Sequence, residues 1–119
     1  MKTKKRITKC LGVLMAKINR IKITVLKRFS PSEVFKTSPV TPVDVEAFGA
    51  CEMFKDGQEF IVENLKMPEG FCTMAWMSIS GNVRILSYGC DFPWFKEKGV
   101  TINCCIDGLR PVIFKLERI

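Results

Sequence analysis

The chain of 119 residues contains no histidine, although it contains six cysteines. This absence excludes the commonest general base, the commonest metal-binding imidazole and every catalytic triad that depends on histidine. Any chemistry that the protein performs must therefore use thiols, carboxylates, amines or a bound cofactor.

Several motifs with well-understood chemistry are also absent. The chain has no glycine-rich phosphate loop, no dinucleotide-binding glycine pattern and no Gly-x-Ser-x-Gly elbow. It has no Cys-x-x-Cys, which excludes the compact zinc knuckle and the thioredoxin-type redox pair. No apolar run approaches the length of a membrane span, so we expect no transmembrane segment.

The excess of basic over acidic side chains is confined to the N-terminal end of the chain. The formal net charge is +7, but residues 1–28 hold ten of the 19 basic side chains and none of the 12 acidic ones. The remaining residues carry a net charge of −3. Because no basic face is available to follow a phosphate backbone, we expect no nucleic-acid partner.

Residues 1–20 are predicted to be a basic N-terminal extension, disordered or artefactual. Apolar residues at helical spacing leave open a basic amphipathic helix that lies on an anionic surface. Met15 is an alternative start, and basic and polar residues, rather than a signal-peptide cleavage pattern, follow the apolar stretch 10–16. We therefore expect a cytoplasmic protein with reduced thiols rather than a disulfide framework.

Residues 21–119 predict one small α+β domain. Alternating β-branched residues favour a strand at 21–28 and a second strand at 59–63. A helix is expected to begin at Pro68-Glu69, but Gly81-Asn82 leaves open whether residues 83–88 continue it or form a strand. The expected architecture is a mainly antiparallel sheet of three to four strands with one main helix.

The C-terminus predicts a β-hairpin, with strands at 100–106 and 111–119 around Asp107-Gly108. Val112, Phe114 and Leu116 form one apolar face of the last strand. A three-residue loop ending at Gly108 sets Val100, Ile102 and Cys104 on that same face. We therefore expect Cys104 to point into the core and Cys105 to lie on the opposite face.

The cysteines are the candidate functional residues. Four of them are dispersed along the predicted domain in a way that leaves a shared site possible: Cys51, Cys72, Cys90 and Cys105. Thiolates bind zinc and iron–sulfur clusters, two metal centres that need no imidazole. Cys72 is the most interesting singly, because the start of a helix favours negative charge. The alternative is ordinary packing, since free cysteine is among the most buried residue types.

Charged residues near the cysteines are weaker candidates. Asp107 is typical of turn chemistry, and Arg110 is placed to stabilise a thiolate or bind an anion, although a solvated arginine is the simpler interpretation. Asp91 and Glu52, each beside a cysteine, are candidate acid–base groups or plain surface charges.

Four stretches together resemble a known family: residues 22–27 (KITVLK), 51–57 (CEMFKDG), 68–76 (PEGFC with AW) and 104–112 (CCIDGLRPV). The family comprises short uncharacterised cysteine-containing proteins widespread in anaerobic bacteria and archaea. The resemblance covers about residues 21–119. It implies that cysteines at the positions of Cys51, Cys72 and Cys105 recur, as does the Asp-Gly-x-Arg-Pro turn, and that family members begin near Met15.

The leading hypothesis is a thiol-centred metal-binding or redox protein of an anaerobe. Cys51, Cys72 and Cys105 are expected to converge on zinc, an iron–sulfur cluster or a redox site, with Cys90 or Cys104 as a fourth ligand and Asp107 and Arg110 in support. The alternative is a non-enzymatic protein-binding or assembly module with structural cysteines. An unidentified protein or redox partner and a homo-oligomer are left open, as is the question whether the protein is an enzyme.

Overall fold

The computed structural model describes residues 17–46 and 48–119. The apolar residues of the possible amphipathic helix lie mostly within residues 1–16, as does the alternative start at Met15, and residues 1–16 are outside the described residues. Residues 17–20, which the sequence assigns to the extension, are in part attached to the domain. Asn19 donates its backbone and side-chain N–H groups to the carbonyl oxygen of Ser87 at 2.8 and 3.2 Å.

The chain forms one four-stranded sheet and one main helix. In chain order the elements are β1 (Ile21–Arg28), α1 (Pro31–Val34), β2 (Glu59–Val62), α2 (Thr73–Ser87), β3 (Val100–Cys104) and β4 (Val112–Arg118). All neighbouring strands are antiparallel in the order β2-β1-β4-β3. The predicted α+β class, antiparallel sheet, main helix and C-terminal strand pair are confirmed. Across residues 17–46 and 48–119, no helix combines the length and apolar character needed to cross a membrane.

Strand β1 shows the alternation that its sequence predicts. Ile21, Ile23 and Val25 are completely buried on the face that meets α2. Lys22 lies on the opposite face, where its Nζ is 3.5 Å from carboxylate oxygens of both Glu59 and Glu117. One face of the sheet therefore carries the core and the other carries charge, as expected for a two-layer domain.

Helix α2 begins later than predicted and continues further. Gly70 has φ +78°, in the left-handed region that interrupts a right-handed helix, so Pro68 closes a turn before the helix starts. Cys72 is the N-cap residue. The helix then runs through Gly81 to Ser87, because Val83 and the residues after it continue the buried stripe of the first turns. The alternative of a strand at residues 83–88 is therefore wrong.

A cluster of aromatic rings fills the core beneath the N-terminal half of α2. Phe54, from the β1–β2 connection, lies 5.0 Å from Phe71 and 5.2 Å from Phe114, measured between ring centroids. Phe60 of β2 packs at 4.9 Å from Phe71. Edge-to-face contacts of this kind fix both connecting segments against the sheet.

The register predicted for β3 is wrong. Thr101 pairs with Leu116, Asn103 pairs with Phe114, and the Cys105 N–H donates to the Val112 carbonyl oxygen at 3.0 Å. Thr101 is therefore buried, while Ile102 is 47% exposed and Cys104 is also exposed. Cys105, not Cys104, packs against the core.

The physical reason lies in the helix that faces β3. The Asn103 side chain accepts a hydrogen bond from the Asn82 side chain of α2 at 3.0 Å. The Ser78 hydroxyl donates to the Cys104 carbonyl oxygen at 2.8 Å. The Asn103 side chain and the Cys104 backbone thus find partners on α2, and satisfied polar groups can replace an apolar stripe.

Candidate functional site

A cavity of about 370 Å³ lies at the N-terminal end of α2. Its walls come from the β1–β2 connection, the start of α2 and the segment that joins β3 to β4. The lining residues are Cys51, Met53, Phe54, Cys72, Met74, Ala75, Cys105, Ile106, Asp107, Arg110 and Val112. The structure therefore brings five of the residues named from the sequence to one cavity: Cys51, Cys72, Cys105, Asp107 and Arg110.

Cys51 is positioned by a partly buried arginine contact. Arg28 at the end of β1 donates to the Cys51 carbonyl oxygen at 2.8 Å and to the Asp56 carboxylate at 3.1 Å. Phe54, three residues further on, is only 2% exposed. The segment that carries Cys51 is therefore attached to the sheet at two points, and the Cys51 thiol is free and half-buried.

Cys72 lies at the positive end of the dipole of α2. Its backbone is extended, with φ −67° and ψ 123°, and its side chain makes no capping hydrogen bond to the helix. The thiol is free and packs against the edge of the core. The unpaired N–H groups of the first helical turn favour negative charge at this position, on the Cys72 sulfur or on a bound ligand.

Cys105 follows the last residue of β3 and turns toward the cavity. The Val112 N–H is directed at its sulfur at 3.3 Å, and the Arg110 carbonyl oxygen lies 4.0 Å from the same sulfur. Backbone N–H donors aimed at sulfur are a common feature of metal-bound thiolates, whose properties they tune.

Asp107 and Arg110 organise the loop that forms one wall of the cavity. Asp107 accepts hydrogen bonds from the backbone N–H groups of Leu109 and Arg110 at 3.0 and 3.1 Å, and its carboxylate pairs with the Arg110 Nε at 3.2 Å. Burial raises the pKa of Asp107, but these three contacts outweigh it and hold the pKa below its ordinary value. The Arg110 guanidinium also stacks at 4.4 Å from the ring centroid of Phe48.

Neither cysteine expected as a fourth ligand lines the cavity. Cys104 is exposed, and partial burial of its sulfur, together with the neighbouring Cys105 thiol, raises the pKa of Cys104. Cys90 follows the C-terminal end of α2, a helix of 15 residues that is about 22 Å long. Cys90 is disulfide-bonded, which departs from the expectation of reduced thiols, and so it does not belong to the thiol set of the cavity.

The two carboxylates proposed as acid–base groups lie away from the cavity lining. Asp91 pairs with Arg118 at 2.6 Å and accepts the Gly99 N–H at 2.8 Å. Burial raises the pKa of Asp91, but the contacts with Arg118 and Gly99 outweigh it, so the pKa lies below its ordinary value. Asp91 is therefore a structural residue, and Glu52 is an exposed side chain beside Cys51.

The cavity thiols do not form a closed coordination shell as they stand. Within the part of the chain that the structure describes, no group of three or more Cys, Asp or Glu side chains is arranged to hold a metal ion. The three thiols share a cavity wall rather than a coordination sphere. Rotation between staggered side-chain rotamers moves each sulfur without moving its backbone.

Two sulfur-containing residues of the cavity wall were not identified as candidates from the sequence. Met53 and Met74 both line the cavity, and they are 57% and 52% exposed. Each follows a cavity cysteine by two positions, as Cys51-Glu-Met53 and Cys72-Thr-Met74. The repeated Cys-x-Met spacing is the signal that points to them.

Comparisons of the chain with protein-family models, with curated proteins and with solved structures find no match. The resemblance to cysteine-containing proteins of anaerobes therefore stays a prediction, and the function has to be argued from the cavity.

Proposed function

We propose that the protein holds a soft metal centre through the thiolates of Cys51, Cys72 and Cys105. The observation that supports this proposal is that three free thiols from distant parts of the sequence line one cavity of about 370 Å³. Zinc and iron–sulfur clusters are the two centres that the sequence predicts.

The rest of the lining supports a thiolate site. Asp107 and Arg110 are the other ionisable side chains among the described residues of the lining, and they pair with each other at 3.2 Å. Their charges are therefore largely compensated, and the remaining wall is apolar apart from sulfur. Hard cations that require several carboxylate or carbonyl oxygens find few ligands in this cavity, whereas soft cations find three thiols.

Metal binding requires the thiols to approach one another. A single zinc ion holds each sulfur at about 2.3 Å, so the side chains must rotate toward a common point. The N-cap position of Cys72 and the N–H donor at Cys105 both favour thiolates once the metal has displaced their protons.

The test is metal analysis of the full chain purified without oxygen, with a visible spectrum and with zinc and iron–sulfur reconstitution. Serine substitution at Cys51, Cys72 or Cys105 should abolish stoichiometric metal. Cys104→Ser is the matched control because Cys104 is exposed and lies outside the cavity. Wild-type protein that binds no metal under any of these conditions would contradict the proposal. A redox function without metal predicts instead that two of the three thiols resist alkylation after mild oxidation.

A second candidate is a protein-binding or assembly module with structural cysteines. Its supporting observation is that Cys51, Cys72 and Cys105 all pack against the core, while Met53, Met74 and Ile106 expose apolar surface at the cavity. A Cys72→Ser/Cys105→Ser double variant distinguishes the two functions. An assembly module keeps its partner contacts and fold in this variant, whereas a metal protein loses its centre.

A further inference from the structure

The cavity contains two sulfur donors besides its thiols. The thioethers of Met53 and Met74 belong to the same wall as Cys51, Cys72 and Cys105, so five of the 11 lining residues carry sulfur. Both methionines are more than half exposed. Neither methionine is therefore a buried core residue, and both sulfurs belong to the lining of the cavity.

Thioethers change which metal the site prefers. Zinc in proteins takes thiolate, imidazole or carboxylate ligands, and iron–sulfur clusters are held by cysteine thiolates. Methionine is a neutral, soft ligand that, together with thiolate, selects monovalent copper. The chain offers no imidazole, because it contains no histidine.

We infer that the soft metal of this site is monovalent copper, bound by the cavity thiolates with Met53 and Met74 as additional thioether ligands. This inference rests on the proposed thiolate site and specifies its metal. Binding converts each coordinating thiol to a thiolate and releases one proton to solvent, and the copper keeps its oxidation state. The two Cys-x-Met segments deliver one thiol and one thioether each, and Cys105 adds the third thiol from the segment that joins β3 to β4.

The chain supplies a matched control for the thioethers. Met77 lies on the same helix as Met74 and is 67% exposed, but it does not line the cavity. A general effect of removing an exposed methionine sulfur should therefore appear equally in Met77→Leu. Leucine preserves the apolar volume and the helix propensity of methionine, so neither substitution should disturb folding.

The experiment is an oxygen-free competition titration of the full chain with Cu(I) buffered by a chromogenic chelator, repeated with Zn(II). The Met53→Leu/Met74→Leu variant should bind Cu(I) roughly ten- to a hundredfold more weakly, the range seen when a supporting group of a metal site is removed. Its zinc affinity should not change, and Met77→Leu should match wild type with both metals. In protein labelled with ¹³C at the methionine methyl groups, Cu(I) should shift the resonances of Met53 and Met74 but not that of Met77.

The outcomes separate this inference from the proposal on which it depends. Unchanged Cu(I) affinity in Met53→Leu/Met74→Leu, with unshifted methyl resonances, overturns the copper inference while zinc bound through the three cysteines preserves the proposed function. Wild-type protein that binds neither Cu(I) nor zinc and forms no cluster overturns both. Circular dichroism of every variant shows that a loss of binding is not a loss of fold.

Discussion

The two ends of α2 are stabilised by different kinds of interaction. At the C-terminal end, Arg118 donates to the carbonyl oxygens of Leu86 and Cys90 at 3.1 and 3.0 Å and pairs with Asp91 at 2.6 Å. At the N-terminal end, Cys72 caps the helix without a side-chain hydrogen bond and lies on the wall of an apolar cavity. One end therefore satisfies its backbone with charge, while the other presents a free thiol at the cavity.

This difference separates residues that hold the fold from residues available for binding. A helix terminus leaves four backbone groups without intrahelical partners. A single arginine from β4 serves one of them at the C-terminal end, the Leu86 carbonyl, together with the Cys90 carbonyl just beyond the helix. The expected consequence is a contrast in energetics. Substitutions at the Arg118 end should cost stability, and substitutions of the cavity thiols should mainly cost ligand binding.

The largest expected effect is at Arg118. Arg118→Met should lower the free energy of unfolding by about 2–4 kcal/mol, because it removes several charge-assisted hydrogen bonds and takes the cationic partner away from the partly buried Asp91 carboxylate. Urea denaturation measures the change. Arg20→Met is the control, because Arg20 forms an ion pair with Glu63 in which the two side chains are 58% and 65% exposed. Loss of an exposed pair costs about 0–1 kcal/mol.

The same measurement on Cys72→Ala tests the other end of the helix. Removing one half-buried sulfur should cost about 1 kcal/mol or less. A cost equal to that of Arg118→Met would show that the cavity thiols are structural after all, and the contrast between the two ends would disappear.

At two glycines, changes in stability smaller than that at Arg118 are expected, with opposite signs. Gly99 has φ +71°, and a Cβ at this position would lie 3.1 Å from the Arg118 side chain. Gly99→Ala should therefore destabilise the protein by roughly 1–2 kcal/mol, the cost of the left-handed region for a residue with a Cβ. Gly81 lies in the middle of α2 with open space around it, so Gly81→Ala should stabilise by roughly 0.5–1 kcal/mol. Thermal unfolding compares the two, and equal signs would contradict this account of the Arg118 contact.

The smallest effect is expected at Asp107, on the cavity side. Asn keeps an oxygen for the two backbone N–H donors but loses the partly exposed ion pair with Arg110, so Asp107→Asn should cost at most about 1 kcal/mol at pH 7. The folded-state pKa of Asp107 is lowered, so its stabilising contribution is present above the unfolded pKa of about 3.9 and is lost as the pH falls through the folded pKa. The difference between variant and wild type should therefore shrink in acid. A difference that stays constant from pH 7 to pH 2 would contradict the charge-based explanation.

Local patterns were sufficient to predict much of the fold. The alternation around Ile23 identified β1, and a helix in the region of α2 was also predicted, because both elements bury one face and expose the other. The start of α2 was misplaced because Pro68 is a favourable first helical residue, while the interruption comes from the left-handed backbone of Gly70 two positions later.

Cys104 and Cys105 show where local patterns fail. The prediction assumed that the inner face of β3 must be apolar, but that face meets polar side chains of α2. The loop to β4 is also longer than predicted, because Asp107 closes it with its own hydrogen bonds before the Cys105–Val112 pair forms. The register of such a strand depends on the element packed against it, here α2, and the sequence of the strand alone does not specify that element.

The sequence identified the cavity thiols by residue type but not their proximity. Cys51 reaches the cavity because Phe54 inserts between the sheet and the segment before α2, and this depends on contacts with Phe71 and Phe114. Cys90 is also a cysteine, but it lies beyond the C-terminal end of α2, at the end of the helix away from the cavity. Spatial convergence is a property of the packed core rather than of spacing along the chain.

The central pairing of the sheet joins its first strand to its last. Ile21 pairs with Arg118 and Ile23 with Leu116, so the pair at the middle of the sheet spans nearly the whole domain. During synthesis β1 leaves the ribosome long before β4 exists, so this central pairing cannot form until the last strand is complete. Pairings of such long range are slow to form. The nascent chain is therefore exposed to misassociation until its final strand is complete, and a truncation that removes β4 should leave no stable sheet for the thiol cavity to rest on.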